Sequence, residues 1–281
     1  MATSSRIFAP DMLAGQVALV TGGGTGLGRA AAEELVACGA RVVIAGRRAD
    51  VLDAAADEIG AGVTTVSGDI RDADDAARFV ETALDRHGRL DLLVNNAGGQ
   101  YFAPAEAIKA KGWRAVMELN VGGTLTMARA AYEGAFEPAG RGMIANVTLS
   151  PHHGMPGMAH SGAARAAVEA LTRELATEFA PAGVSACALA IGHFETDAIR
   201  KYPEPVWRAA GRTVPLQRLG QVEEHAWLVA LVASPFGRAL NGSVITLDGA
   251  RDNWFGGWPP PSLEGEGGEV PTEQRRPAST R

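Results

Sequence analysis

The sequence predicts an α/β fold, a doubly wound parallel sheet within a single domain. Three observations predict it. Short runs rich in Val, Ile and Leu are apolar at nearly every position, longer stretches with helical periodicity lie between them, and a glycine-rich turn joins the first run to the first helix. Strands covered on both faces lose the polar alternation of a half-exposed sheet. Repeated strand–helix alternation builds a parallel sheet, and right-handed crossovers put helices on both of its faces.

The strand runs are 17–21, 41–45, 63–67, 92–95, 143–147, 184–189 and 244–247. Helical stretches include 28–38, 72–87, 112–132 and 163–179. Around the first of these, Leu27, Ala31, Leu35 and Cys38 recur at three- and four-residue steps and make one apolar face. No composition shift splits the body of the chain. The expected organisation is an N-terminal extension at 1–10, one domain at 11–255 and a tail at 256–281. The tail carries Pro259, Pro260, Pro261, Gly265, Gly267, Gly268, Pro271 and Pro277. Such a segment buries too little apolar surface to offset its ordering entropy. It reads as a loose extension, with Trp254, Phe255 and Trp258 placed to dock its start.

Composition excludes several classes. The chain has 281 residues, 46% of them hydrophobic, and a net charge of −6. A chain of this size buries roughly 70–75% of its unfolded surface and needs no staples. Mild acidity argues against a nucleic-acid partner, which calls for clustered positive charge. No apolar run approaches the roughly 20 residues of a membrane helix. Residues 1–10 lack a signal peptide's apolar centre. A soluble, cytoplasmic protein without a membrane partner is expected. Cys38 and Cys187 cannot form a disulfide framework and read as small core residues. The lysines are Lys109, Lys111 and Lys201 only, all other basic side chains being Arg.

After the first strand comes Thr21-Gly22-Gly23-Gly24-Thr25-Gly26-Leu27-Gly28, which runs straight into a helix. Its glycines let the backbone turn sharply and approach a diphosphate, and the helix amino end supplies N–H groups and a positive dipole. A strand before and a helix after are the context a dinucleotide cradle requires, so the domain reads as Rossmann-type. The second strand ends in Arg47 and Arg48, where an NAD site carries an acid for the ribose 2′-hydroxyl. Two guanidiniums suit a 2′-phosphate, so NADP(H) is expected over NAD(H). Asp69, followed by Ile70, comes after the third strand and can accept from the adenine amino group.

These residues, with Asn95-Asn96-Ala97-Gly98, Asn120 and the 163–178 stretch, resemble the short-chain dehydrogenase/reductase family over roughly residues 10 to 250. The resemblance implies seven parallel strands, a nicotinamide cofactor and a homodimer or homotetramer. It implies that Asn95 and Ala97 line the adenosine side of the cofactor, with Asn96 and Gly98 in the same cofactor-binding run. Asn120 would hold a helix open and anchor water. Ala190-Ile191-Gly192 stands where the family has Ala-Pro-Gly against the nicotinamide, and Thr196 matches a phosphate contact. The helices 112–132 and 163–179 would form a four-helix dimer contact through Ala128, Ala130, Ala131, Ala163, Ala164, Ala166 and Ala167.

The departures are informative. The family's catalytic motif is Tyr-x-x-x-Lys, and this chain has Ser161 and Arg165 in those places. Arg165 can fork onto a ribose, but an aliphatic hydroxyl is a far weaker acid than a phenol at about 10. The family's serine falls among Thr148, Leu149 and Ser150, with Thr148 favoured. Alcohol–carbonyl interconversion needs a proton donor tuned near the working pH. Reduction of a conjugated C=C bond asks instead for donors to a developing enolate. The runs Asn95–Tyr101, Lys111-Gly112-Trp113, Glu118–Val121 and His160-Ser161-Gly162-Ala163-Ala164-Arg165 resemble peroxisomal trans-2-enoyl-CoA reductases and 2,4-dienoyl-CoA reductases. The chain ends Ala278-Ser279-Thr280-Arg281, not in a small-basic-Leu address. Some bacterial terpenoid-alcohol dehydrogenases share the His160–Arg165 run.

The expected activity is NADP(H)-dependent reduction of an enoyl-CoA or similar unsaturated carbonyl. Its substrate partner would be an acyl-CoA thioester. Candidate donors are Thr148, Ser161 and Tyr101, the last beside Gln100 and suited to a thioester carbonyl; Arg165 and Asn120 would organise ribose and water. His152, His153 and His160 lie where substrate enters and titrate near neutrality. They lack partners at metal-ligand spacing, and no metal is expected. Met155 and Met158 flank the same loop as acyl-pocket candidates. The alternatives are an alcohol dehydrogenase acting on a terpenoid-like substrate and a catalytically silent cofactor-binding module.

Overall fold

Seven parallel strands form one sheet in the order β3-β2-β1-β4-β5-β6-β7 in a computed structural model. The structure describes residues 5–150, 152–154, 156–197, 199–201 and 210–254. Phe255, Trp258 and the tail from 256, with Met155, lie outside the described residues, and so do the expectations placed on them.

The strands are β1 Val17–Thr21, β2 Arg41–Gly46, β3 Val63–Ser67, β4 Leu92–Asn95, β5 Gly142–Leu149, β6 Val184–Ile191 and β7 Val244–Leu247. The interior strands β1, β4 and β6 are buried at every position, as their mostly apolar sequences require. The edge strands β3 and β7 are half-exposed, and β3 accordingly carries Thr64, Thr65 and Ser67. β5 and β6 run longer than their apolar cores because they pair from Gly142↔Val184 through Leu149↔Ile191. That extension carries Thr148 to the carboxyl edge of the sheet.

Helices α1 Gly26–Ala37, α2 Ala49–Ile59 and α8 Val222–Ala233 cover one face. There Ala31, Leu35, Leu52 and Val229 pack on Val20, Val42 and Ile44. Helices α3 Ala73–His87, α4 Ala110–Met117, α5 Gly123–Ala131, the short α6 Glu137–Ala139 and α7 Ala159–Glu178 follow in the intervening chain. The second core joins α3, α5 and α7 through Phe79, Met127 and Leu175 against Leu19, Leu93 and Ile144. Each of these buried side chains contributes roughly 1.5–3 kcal/mol of transfer free energy.

The stretch expected as one helix over 112–132 is broken by two wider turns, at Glu118–Gly122 and Tyr132–Phe136. The first has a side-chain cause. Asn120 Nδ2 donates to the Val116 carbonyl at 2.8 Å, and Thr124 Oγ1 donates to the Asn120 carbonyl at 2.7 Å. Side-chain bonds of this kind divert the backbone ladder, and such bulges gather at functional sites. Ala128, Ala131 and Ala164 lie in the protein's own core, which corrects their expected place in a subunit contact. Ala163 and Ala166 are exposed.

β1 pairs with β2 along one edge and with β4 along the other, so strand order reverses between β1 and β4. A crevice opens outside the carboxyl ends of the strands at such a point. No described helix is long and apolar enough to cross a membrane.

Candidate active site

Thr21 ends β1 at that crevice. Its Oγ1 accepts from the N–H groups of Asn96 at 3.1 Å and Ala97 at 3.0 Å, and donates to the Val94 carbonyl at 3.2 Å. Asn96 Nδ2 donates back to the Thr21 carbonyl at 2.9 Å. Thr21 and Asn96 thus lock the turns after β1 and β4 together. Asn95 points elsewhere: its amide is buried in the sheet and donates to Asn146 Oδ1 at 2.9 Å. It therefore does not line the adenosine side, which corrects the expectation drawn from the resemblance.

The glycine turn is built for close approach. A Cβ on Gly28 would lie 2.4 Å from both Asn96 Nδ2 and the Gly22 carbonyl oxygen. Above Gly26, at φ +54°, only Thr196 among the described residues comes within 4 Å of where a Cβ would stand. Thr25 is the N-cap of α1 and makes no side-chain cap bond. Open space in front of a helix amino end, with first-turn N–H groups uncapped by its own N-cap, fits a diphosphate. Gly24 packs along Val51 and Leu52, and Leu27 is half-buried against the α1 core.

Arg47 and Arg48 are exposed beyond β2. Asp69 is gripped by Arg71, whose Nε lies 3.0 and 3.1 Å from the two carboxylate oxygens. Those hydrogen bonds hold the Asp69 carboxyl down at about 2 against the opposing effect of burial, and Arg47 adds a further attraction. Arg47 therefore stands near Asp69. Ile70 is buried under α5, where a Cβ on Gly123 would meet it at 2.5 Å. Gly192 lies against Asp248.

The loop after β4 is clamped from three sides. A Cβ on Gly98 would lie 2.6 Å from Arg165 Nη2 and 2.7 Å from Asn120 Oδ1. Asn120 donates to the Gly99 carbonyl at 2.8 Å and accepts from its N–H at 3.2 Å. Ser161 Oγ donates to Gln100 Oε1 at 2.8 Å. Tyr101 meets the buried His160 ring edge-on at 4.3 Å, and its hydroxyl packs on Gly112. Burial pulls His160 below the usual histidine range, with backbone hydrogen bonds at Met158 and Tyr101 opposing. Met158 is itself buried.

Ser161, Arg165 and Glu169 recur at four-residue steps along α7, on the face toward β5. Arg165 Nη1 donates to the Val147 carbonyl at 2.8 Å. Glu169 Oε1 accepts from Thr148 Oγ1 at 2.9 Å and meets His152 Nε2 at 2.9 Å. His152 Nδ1 faces Asp252 Oδ2, and the His152 N–H donates to Asp252 Oδ1 at 2.6 Å. Asp252 N–H donates to Asp248 Oδ2 at 2.7 Å, and Ser150 Oγ donates to the same oxygen. Burial depresses the His152 pKa, but hydrogen bonds to Asp252 and Glu169 outweigh it and the net shift is upward. Asp252 is lowered by the same histidine against the cost of burial. Two hydroxyls, three carboxylates and an imidazole thus form one connected chain at the carboxyl ends of β5 and β7.

Glu169, Asp248 and Asp252 were not among the residues singled out from the sequence. Glu169 has a signal there, since it stands one helical turn beyond Arg165. Asp252 has none, because it lies 100 residues from its histidine. Cys38 and Cys187 are buried free thiols, pushed up by burial to about 11 and about 12. Among the described residues no group of His, Cys, Asp and Glu is arranged to hold a metal ion.

A parallel sheet in this order, a glycine cradle at its switch point and a polar site on the helix after β5 define a nucleotide-dependent oxidoreductase scaffold. The chain belongs to the short chain dehydrogenase family, whose model matches residues 16–206, and members of that family bind a nicotinamide cofactor. It is similar to a peroxisomal 2,4-dienoyl-CoA reductase of Danio rerio, 34% identical over 253 residues, covering 87% of this chain and 84% of the relative. It is also similar to a probable 2,4-dienoyl-CoA reductase of Bacillus subtilis, 35% identical over 250 residues, covering 86% and 97%. Among solved structures, a citronellol catabolism dehydrogenase of Pseudomonas aeruginosa PAO1 superposes with a TM-score of 0.78 at 37% identity, covering 88% of this chain and 98% of that one.

Proposed function

We propose that the protein is an NADP(H)-dependent reductase of a C=C bond conjugated to a thioester carbonyl, acting on an enoyl- or dienoyl-CoA. The observation that carries this reading is the α7 face: Ser161, Arg165 and Glu169 point at the site, and no phenol stands among them. When bound, NADPH supplies the hydride.

The chain's own residues divide the remaining work. Gly22, Gly24, Gly26 and Gly28, with Thr25 and Thr196, hold the diphosphate. Arg47 and Arg48 take the 2′-phosphate, and Arg165 the nicotinamide ribose. Ser161 orients the Gln100 carboxamide, whose N–H groups donate to the thioester oxygen as negative charge develops there. Tyr101 flanks that position. The electron pair added at the far end of the conjugated system moves charge onto the carbonyl oxygen. Re-forming the C=O bond takes up a proton at the α carbon. The His152 imidazolium, hydrogen-bonded to Glu169 and through it to Thr148, is the proton reservoir.

The relatives named as 2,4-dienoyl-CoA reductases support the substrate class. The citronellol catabolism dehydrogenase supports a second reading, oxidation of a terpenoid alcohol. NADPH oxidation with crotonyl-CoA and 2,4-hexadienoyl-CoA, against NADP⁺ reduction with citronellol, separates the two. Exposed Leu125 on α5 and Ala163 and Ala166 on α7 are the proposed contact in a homodimer or homotetramer.

A further inference from the structure

Beside the reaction site lies a cleft with a volume of about 430 Å³, lined by Ala105, Ile108, Ala110, Trp113, Arg114 and Ala159. It adjoins the site across Tyr101: Ala159 precedes His160, which carries the Tyr101 ring, and the Tyr101 hydroxyl rests on Gly112 beside Trp113. Its floor is apolar, yet its rim is basic. Lys109 is the N-cap of α4, and Lys111 and Arg114 follow on the first turns of that helix. All three side chains are exposed, and among the described residues none forms an ion pair. Glu106 is the one acid between positions 102 and 117. This basic rim stands out in a chain of net charge −6 that holds two of its three lysines here. Trp113 is 41% exposed, so its indole offers a face to the cleft.

We propose that this cleft receives the phosphorylated adenosine end of the acyl-CoA, which extends the thioester reading above to a second binding subsite. Trp113 supplies a stacking surface for the adenine. Lys109, Lys111 and Arg114 supply charge for the phosphates, with Arg114 able to fork onto one of them. The pantetheine arm then passes Tyr101 to bring the acyl group beneath Gln100 and Ser161. Specificity for the coenzyme thioester over a shorter one resides on α4, and reactivity on α7.

The test uses the full chain saturated with NADPH, so that the 2′-phosphate site is filled. Adenosine 3′,5′-bisphosphate is titrated by calorimetry and by indole fluorescence, and KM is measured for crotonyl-CoA and for crotonyl-N-acetylcysteamine, which lacks the nucleotide. The wild type is expected to bind the bisphosphate. Lys111→Ala with Arg114→Ala should weaken that binding about tenfold or more and raise KM for crotonyl-CoA by a similar factor. KM for the short thioester should shift less than twofold. Loss of bisphosphate binding in the variant upholds the cleft even where neither thioester is reduced; that second result sinks only the reaction assignment. Equal KM changes for both thioesters, or no bisphosphate binding by wild type, would overturn the proposal. So would a Trp113→Ala protein that changes oligomeric mass but keeps its bisphosphate affinity, since the cleft would then be a contact between copies.

Discussion

In the proposed reaction the proton comes from His152. Held between Glu169 and Asp252, its imidazolium keeps its proton to higher pH than an ordinary histidine. A donor of this kind is competent below its pKa and lost above it. Reduction of crotonyl-CoA is therefore expected to fall as pH rises through that raised value. Glu169→Gln removes one of the two charges that hold the proton. The alkaline limb of the rate profile should then move to lower pH, and the rate at neutrality should drop by about 10²-fold. An unchanged profile in the variant would assign Glu169 a packing role. Arg47 answers a separate question at the other end of the crevice. Arg47→Ala should weaken NADPH binding by about 10–100-fold and leave NADH binding within about threefold, as read by calorimetry. Equal losses for both cofactors would remove the basis for the proposed NADP(H) preference.

Elements rather than residues decide whether the site is held together. The wide turn at Glu118–Gly122 places Asn120 so that one amide serves both α4 and the Gly99 backbone. Asn120→Ala strips three hydrogen bonds from a buried position, and a loss of about 2–4 kcal/mol in denaturant unfolding is expected. KM for the thioester should rise with it, because the Gly98–Tyr101 loop loses a clamp. This turn also shows where reading from sequence stops. The periodicity of 112–132 indicates a helix, and a helix is what most of it forms. The break depends on side-chain bonds at Asn120 and Thr124 that no periodicity records. The strands were legible because those buried in the sheet are mostly apolar, and the bounds of β1, β3, β4 and β7 were legible with them; the ends of β5 and β6 were not, since Thr148 and Leu149 continue β5 only by pairing with β6. The glycine cradle was legible for the same local reason: turn, strand and helix are neighbours in the chain. The His152–Asp252 pair was not, because only the docking of the segment after β7 against the loop after β5 brings them together.

The whole molecule carries a pH dependence set away from the site. His225 on α8 is completely buried, and burial drags its pKa down to about 4. In the unfolded chain it titrates near the ordinary value of about 6.5. The unfolded state thus binds the extra proton first as pH falls. Stability from this group is complete above about 6.5 and declines as pH drops toward about 4, by roughly 3 kcal/mol in all. His225→Leu should flatten that acid slope in denaturant titrations at neutral pH and near pH 4.5. A slope identical to wild type would show that other groups govern acid unfolding. The fold also divides the helices between two cores: α1, α2 and α8 pack on one face of the sheet, and α3, α5 and α7 on the other.

In the proposed reaction hydride goes to the β carbon of the conjugated system and not to a carbonyl carbon. The most direct measurement supplies stereospecifically deuterated NADPH with crotonyl-CoA and locates the label in the product by mass spectrometry. One deuterium at the β carbon, an intact thioester and a solvent-derived proton at the α carbon are predicted. No label transfer to the thioester, together with NADP⁺ reduction by citronellol, would contradict the account and make the protein an alcohol dehydrogenase.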